Sequence, residues 1–151
     1  MSETVKAPAT APVVAAAEVA ANRRRGGDIR VVLSPKTVGS TSGFMGTLTL
    51  RPGEYVTEHY HPYSEEFVFV VEGTLVARVE EVGVFEVSAG AGFMVPIGAR
   101  HRVWNDSDTE VRAVFHLAPL APRPELGHVD TEQLPAGGEG MSQPDVGAPR
   151  R

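Results

Sequence analysis

The chain contains no cysteine, so disulfide staples, cysteine-based zinc sites and thiol nucleophiles are all excluded. It has no apolar run approaching the ~20 residues that a membrane helix requires. Nor is there an excess of positive charge. Fourteen Lys and Arg face nineteen Asp and Glu, giving a formal net charge of −5, which argues against a general nucleic-acid binder. A secretory signal is not expected, because Glu18 interrupts the only Ala/Val-rich stretch and no basic region precedes it. Helical periodicity and internal repeats are also missing. These absences together predict a soluble cytoplasmic protein, bound neither to membrane nor to nucleic acid.

What is present points to β structure. The 151 residues are 42% hydrophobic, enough for one packed domain. Sixteen glycines and twelve prolines suggest short strands joined by tight turns. Residues 1–22, rich in Ala, Val, Thr and Pro, read as a flexible N-terminal arm, and Gly/Pro-rich residues 133–151 as a flexible tail. The domain is expected over 23–132. Within it, period-two patterns recur over Asp28–Leu33, Phe44–Leu50, Tyr55–Tyr60, Glu66–Glu72, Leu75–Glu80, Val84–Val87, Phe93–Pro96, Arg102–Asn105 and Val111–Ala118. Turn signals such as Arg51-Pro52-Gly53 and Asn105-Asp106-Ser107-Asp108 separate them. The prediction is an all-β sandwich or barrel.

Five histidines stand at positions 59, 61, 101, 116 and 128. His59 and His61 lie two apart on a strand, so their side chains share a face. Glu66 opens the next strand, and His101 follows the turn Pro96-Ile97-Gly98. Neutral imidazoles and a carboxylate converging from several strands make a suitable shell for a divalent transition metal. Glu65 alternates to the opposite face and is expected in solvent.

These residues carry a resemblance to the cupins. Gly53, His59, His61, Glu66 and Gly73 in GEYVTEHYHPYSEEFVFVVEG match the first cupin motif, and Gly90, Pro96, Gly98, His101 and Asn105 in GAGFMVPIGARHRVWN match the second. The resemblance implies a single-domain cupin, a double-stranded β-helix or jelly-roll barrel, with one metal inside held by His59, His61, Glu66 and His101. The stretches NRRRGGDIRVVLSPKTVGSTSGFMG, HPYSEEFVFVVEG and VFHLAPLAPRPELGHVDTE further resemble the single-domain cupins of aromatic polyketide pathways in actinomycetes, described as polyketide cyclases. That narrower likeness implies a metal-dependent aldol-type cyclisation of a poly-β-ketone, with Zn2+ favoured over Fe2+, Mn2+ or Ni2+. It also implies a small-molecule polyketide substrate, free or carrier-bound, and a homodimer. A cupin-type iron, manganese or nickel dioxygenase and a non-catalytic small-molecule binder remain open as alternatives, since one fold serves many functions.

Three further expectations concern single residues. His116, inside the apolar run VRAVFHLA, is either a buried, hydrogen-bonded histidine or a fourth imidazole ligand, in which case Glu66 becomes a catalytic acid–base. Glu66 and His116 are therefore both candidate catalytic residues and candidate metal ligands. His128 is assigned to a surface or subunit contact. Arg23, Arg24 and Arg25 form the only basic cluster and read as a solvated arm, with docking of an acidic carrier protein as the alternative. Phe44, Met45, Phe67, Phe69, Phe93, Met94, Val103, Trp104 and Phe115 are candidate pocket residues. Tyr60 and Tyr63 are candidate partners for substrate oxygens.

Overall fold

The computed structural model describes residues 12–141; residues 1–11 of the expected arm and 142–151 of the expected tail lie outside the described residues. Nine strands fall where alternation placed them, within a residue or so at each end: β1 (Asp28–Leu33), β2 (Phe44–Leu50), β3 (Tyr55–Tyr60), β4 (Glu65–Glu72), β5 (Thr74–Val79), β6 (Gly83–Ser88), β7 (Gly92–Val95), β8 (His101–Trp104) and β9 (Val111–Ala118), followed by the two-residue β10 (Val129–Asp130). The last of these was not anticipated, nor was the single helical turn α1 (Pro35–Val38), capped at Ser34.

The strands form two five-stranded sheets of order β1-β2-β9-β4-β7 and β10-β3-β8-β5-β6. All their pairings are antiparallel. This is the all-β jelly-roll sandwich that the motifs imply. Alternation sorts the two faces of each strand: in β2, Phe44, Gly46, Leu48 and Leu50 are buried while Met45 is exposed. Leu50, Val70, Leu75, Ala77 and Val111, each fully buried, lie in the core between the sheets.

Two glycines show why the turns need that residue. Gly73, between β4 and β5, has φ of +80°, and a Cβ there would lie 2.6 Å from the Glu110 carbonyl oxygen. Gly98 has φ of +79° and donates its N–H to the His61 carbonyl at 2.9 Å. That bond ties the turn before β8 to the end of β3, where the histidines stand.

The segments flanking the sandwich are more engaged than composition suggested. Asn22 bridges to Ile29, and Arg30 Nη1 donates to the carbonyls of Ala16 and Val19. Arg24 donates to the carbonyls of Gly138 and Met141. Residues on both sides of the sandwich are therefore bound to it and to each other.

Candidate metal centre

The site begins with an irregularity in β3. Val56 opposes Val103 and His59 opposes His101, so the register shifts between them. A regular strand would put residues 56 and 59 on opposite faces. The bulge brings both inward, and the Thr57 N–H bonds instead to the Arg25 carbonyl at 2.9 Å. From there, normal alternation points His59 and His61 into the barrel. Glu66 follows the inward phase of β4 shared by Val68 and Val70, and His101 begins β8 directly across from His59.

The result is a convergent group. His59, His61, Glu66 and His101 each offer one ligand atom, all within 4.8 Å of one another. The ring centroids lie 4.4 Å apart for His59–His101, 4.9 Å for His59–His61 and 5.1 Å for His61–His101. All three imidazoles are buried, and the Glu66 side chain is 15% exposed.

The hydrogen-bond partners define the chemistry of this group. His59 Nδ1 lies 2.8 Å from the Thr57 carbonyl, His61 Nδ1 3.0 Å from that of Gly127, and His101 Nδ1 3.0 Å from that of Ala99. A carbonyl only accepts, so each Nδ1 carries the proton and each Nε2 presents a lone pair to the centre. Glu66 Oε1 lies 3.2 Å from His61 Nε2 and 2.9 Å from His101 Nε2. An ionised carboxylate also has only lone pairs to offer. Such a set repels itself unless protons or a cation lie between its members, and three backbone-oriented imidazoles with one carboxylate suit a divalent metal.

Electrostatics agrees with the geometry. Burial, reinforced by His101 and His61, pushes His59 well below the usual histidine range, so its ring is neutral. Burial alone would raise the Glu66 carboxyl, but in the metal-free site hydrogen bonds and positive charge from His101 and His61, when protons occupy the gap between them, outweigh it and hold the group well below the ordinary carboxylate value. Glu66 is ionised. A neutral His59 and an ionised Glu66 are the forms that bind metal.

The group lines one wall of a cavity of about 80 Å³ between the sheets. Phe44, Phe93, Val103 and Phe115 line this cavity, as anticipated. Met45, Phe67, Phe69 and Met94 do not: they project from the outer face of the first sheet and are 36–47% exposed. Trp104 lies under the Arg102 guanidinium, 5.4 Å from its carbon. Tyr63 is exposed, and Tyr60 alternates outward between two inward histidines.

Three single-residue expectations need correction. His116 alternates outward on β9 while Phe115 and Leu117 point in, and its ring packs 6.2 Å from Phe67 on the outer face. It is thus on the wrong side of the sheet to join the group or to act as a catalytic base within it. His128 is not at the surface: its ring lines the cavity, 4.9 Å from that of His61. Burial, with the positive surroundings of His61 and Arg25, pushes its ring well below the usual histidine range. The arginine cluster is not a solvated arm either. Arg25 is only 4% exposed, lines the cavity and donates from Nε to Asp130 Oδ1 at 2.6 Å. Arg24 lies 3.6 Å from the same carboxylate, and Arg23 lies 3.4 Å from Asp28.

Asn105, the last residue of the second motif, is structural. Its buried amide donates to the carbonyls of Leu50 and Thr109, and its oxygen accepts from Ser107.

Comparison with known proteins agrees with this construction. Residues 46–117 match the cupin domain family. The chain is 58% identical over 120 residues to "Polyketide synthase CurC" of Streptomyces cyaneus, covering 80% of this chain and 77% of that one. It is 49% identical over 129 residues to "Tetracenomycin polyketide synthase protein TcmJ" of Streptomyces glaucescens, covering 84% and 85% respectively. A crystal structure of an uncharacterized conserved protein with a double-stranded β-helix domain from Klebsiella pneumoniae superposes with a TM-score of 0.63 at 18% identity, covering 80% of this chain and 97% of the other. The last likeness concerns the fold alone. The chain belongs to the cupins, and within them to the group that contains these Streptomyces polyketide-biosynthesis proteins.

Proposed function

We propose that this protein is a metal-dependent cyclase of aromatic polyketide biosynthesis, acting in the cytoplasm on a poly-β-ketone and closing a ring by an intramolecular aldol step with loss of water. The observation that carries this reading is the convergence of three Nε2 lone pairs and the ionised Glu66 carboxylate in a cavity whose remaining lining, Arg25 and His128 apart, is apolar. His59, His61, Glu66 and His101 would hold one divalent ion, with zinc as our choice. Such an ion, when bound, supplies Lewis-acid polarisation of a ketone oxygen and stabilisation of enolate charge. Relatives named as polyketide synthase proteins support the substrate class.

The chain's own residues supply the rest. Glu66 is the one carboxylate among the cavity-lining residues. Ionised and buried, it would take a proton from the acidic methylene between two ketones. The apolar walls exclude water and strengthen every polar interaction within. A cavity of about 80 Å³ is far below the ~300–1,000 Å³ of a pocket that swallows a drug-sized ligand. We therefore propose that only the reacting dicarbonyl segment enters it, which restricts which carbons meet.

The homodimer, in this proposal, forms through the outer face of the first sheet. Met45, Phe67, Phe69 and Met94 make an apolar patch on that face, bordered by the ion pairs Arg112–Glu72 and Arg30–Asp28. A face of that kind suits an isologous contact with a second copy.

The test is turnover of a poly-β-ketone by zinc-loaded protein under strict anaerobiosis. Enrichment of one ring pattern over the spontaneous products is expected. Strict oxygen dependence would instead establish a dioxygenase, because zinc has no accessible redox state.

A further inference from the structure

The cavity contains one polar side chain that neither the fold nor the proposed metal shell employs. Both ring nitrogens of His128 are buried and neither has a hydrogen-bond partner. An unpaired buried polar atom costs about 1–3 kcal/mol, so a histidine kept this way calls for a partner that arrives from outside the chain. His128 stands outside the group of atoms that meet within 4.8 Å at the candidate metal centre, yet its ring is only 4.9 Å from that of His61.

The segment carrying His128 is pinned on both sides. The Gly127 carbonyl accepts from His61 Nδ1 at 3.0 Å, Val129 and Asp130 pair with Tyr60 and His59, and the Asp130 carboxylate is bonded to Arg25. The ring is held against the cavity by these contacts and does not depend on its own nitrogens for position. That is the arrangement of a preorganised binding group. A neutral imidazole offers one N–H donor and one acceptor. The enol form of a β-dicarbonyl offers one acceptor and one hydroxyl donor. Apart from the four candidate ligands and Arg25, which is bonded to Asp130, the cavity is lined by apolar residues such as Phe44, Leu48, Phe115 and Leu117.

We infer that His128 binds substrate: its ring hydrogen-bonds a carbonyl or enol oxygen of the β-dicarbonyl segment seated beside the metal ligands. The inference rests on the cyclase reading and deepens it by naming the residue that recognises the segment. Neither cupin motif contains this residue.

The experiment uses the full-length zinc-loaded protein with pentane-2,4-dione, a β-dicarbonyl small enough to serve as a minimal probe, in calorimetric titration. Wild type, His128→Phe and His128→Asn are compared, with zinc content and the Tm of the metal-free protein measured for each. Wild type should bind the probe, and His128→Phe should bind it about tenfold more weakly, the equivalent of ~1.4 kcal/mol. His128→Asn should recover part of that loss, and both variants should keep one zinc per chain. The metal-free His128→Phe protein should melt a few degrees higher, because its unpaired nitrogens are gone. Unchanged binding in both variants would overturn the inference and leave the cyclase reading intact. Loss of zinc from both would show His128 to be a ligand, and a lowered Tm in both would show it to be structural; either result overturns the inference. Failure of zinc-loaded wild type to bind the probe would overturn this inference and the cyclase reading together.

Discussion

Lowering the pH of the metal-free protein is a direct probe of the buried imidazoles. His59 and His128 are both held neutral in the folded state, chiefly by burial. In the unfolded chain each returns to a value near 6.5. The folded pKa is thus depressed for both, so their contribution is fully present above the unfolded value and is lost as pH falls toward the folded one. Between those limits the unfolded state binds more protons, and stability must fall with pH. Each such group contributes a slope of about 1.4 kcal/mol per pH unit, so the pair gives roughly 2.7. A domain of ordinary stability has about 5–15 kcal/mol in all, and the loss from pH 6 to pH 5 is a large share of that. Urea titrations of the metal-free protein at pH 7.5, 6.5, 6.0, 5.5 and 5.0 measure it. The unfolding free energy should be nearly flat down to about 6.5 and then drop steeply, with an unchanged m-value. His128→Phe should remove about half of the slope. A flat profile between pH 6.5 and 5.0, or an identical slope in His128→Phe, would refute the claim that these rings are buried as neutral groups.

Other predictions address the ligands, the fold and the outer face. Wild-type protein should bind about one divalent ion per chain by elemental analysis, and His59→Ala or His101→Ala should remove most of it. Glu66→Gln should weaken zinc retention by about 10–100-fold in a chelator competition, whereas His116→Ala, on the outer face, should leave it unchanged. Asn105→Ala should cost about 3 kcal/mol in urea unfolding, since it orphans the carbonyls of Leu50 and Thr109 and a Ser107 donor at a corner only 1% exposed. Phe67→Glu or Phe69→Glu, placing a charge on the apolar face, should shift light-scattering mass from dimer to monomer without loss of zinc.

Much of the fold was legible because an antiparallel sandwich writes itself as a period of two. The same alternation placed Glu66 inward and Glu65 outward before any coordinates were needed. It also contained the answer for His116. Arg112, Val114 and His116 share one phase of VRAVFHLA, and an arginine on that phase marks the outer face. The apolar neighbours of His116 obscured that cue, since Met45 and Phe67 make this particular outer face apolar too. The bulge in β3 was not legible at all. Strict alternation puts Val56 and His59 on opposite faces, and only the diversion of the Thr57 N–H to Arg25 allows both to point in.

Arg25 and His128 were missed for a different reason, and it bears on function. Neither lies in a periodic segment, and the contact that fixes both, Arg25 to Asp130, spans 105 residues. No local pattern encodes such a pairing. The motif residues His59, His61, Glu66 and His101 come from β3 and the residue just past its end, β4 and β8, and by themselves they form a candidate metal shell that would suit many reactions. The two flanking segments, entering from opposite ends of the domain, close on that shell and add a guanidinium and an imidazole to the cavity wall. If the proposed metal site is as generic as its motifs, discrimination between substrates must come from groups the motifs do not contain. These two are the polar side chains of the cavity that answer to that description, since every other polar residue lining it is one of the four candidate ligands.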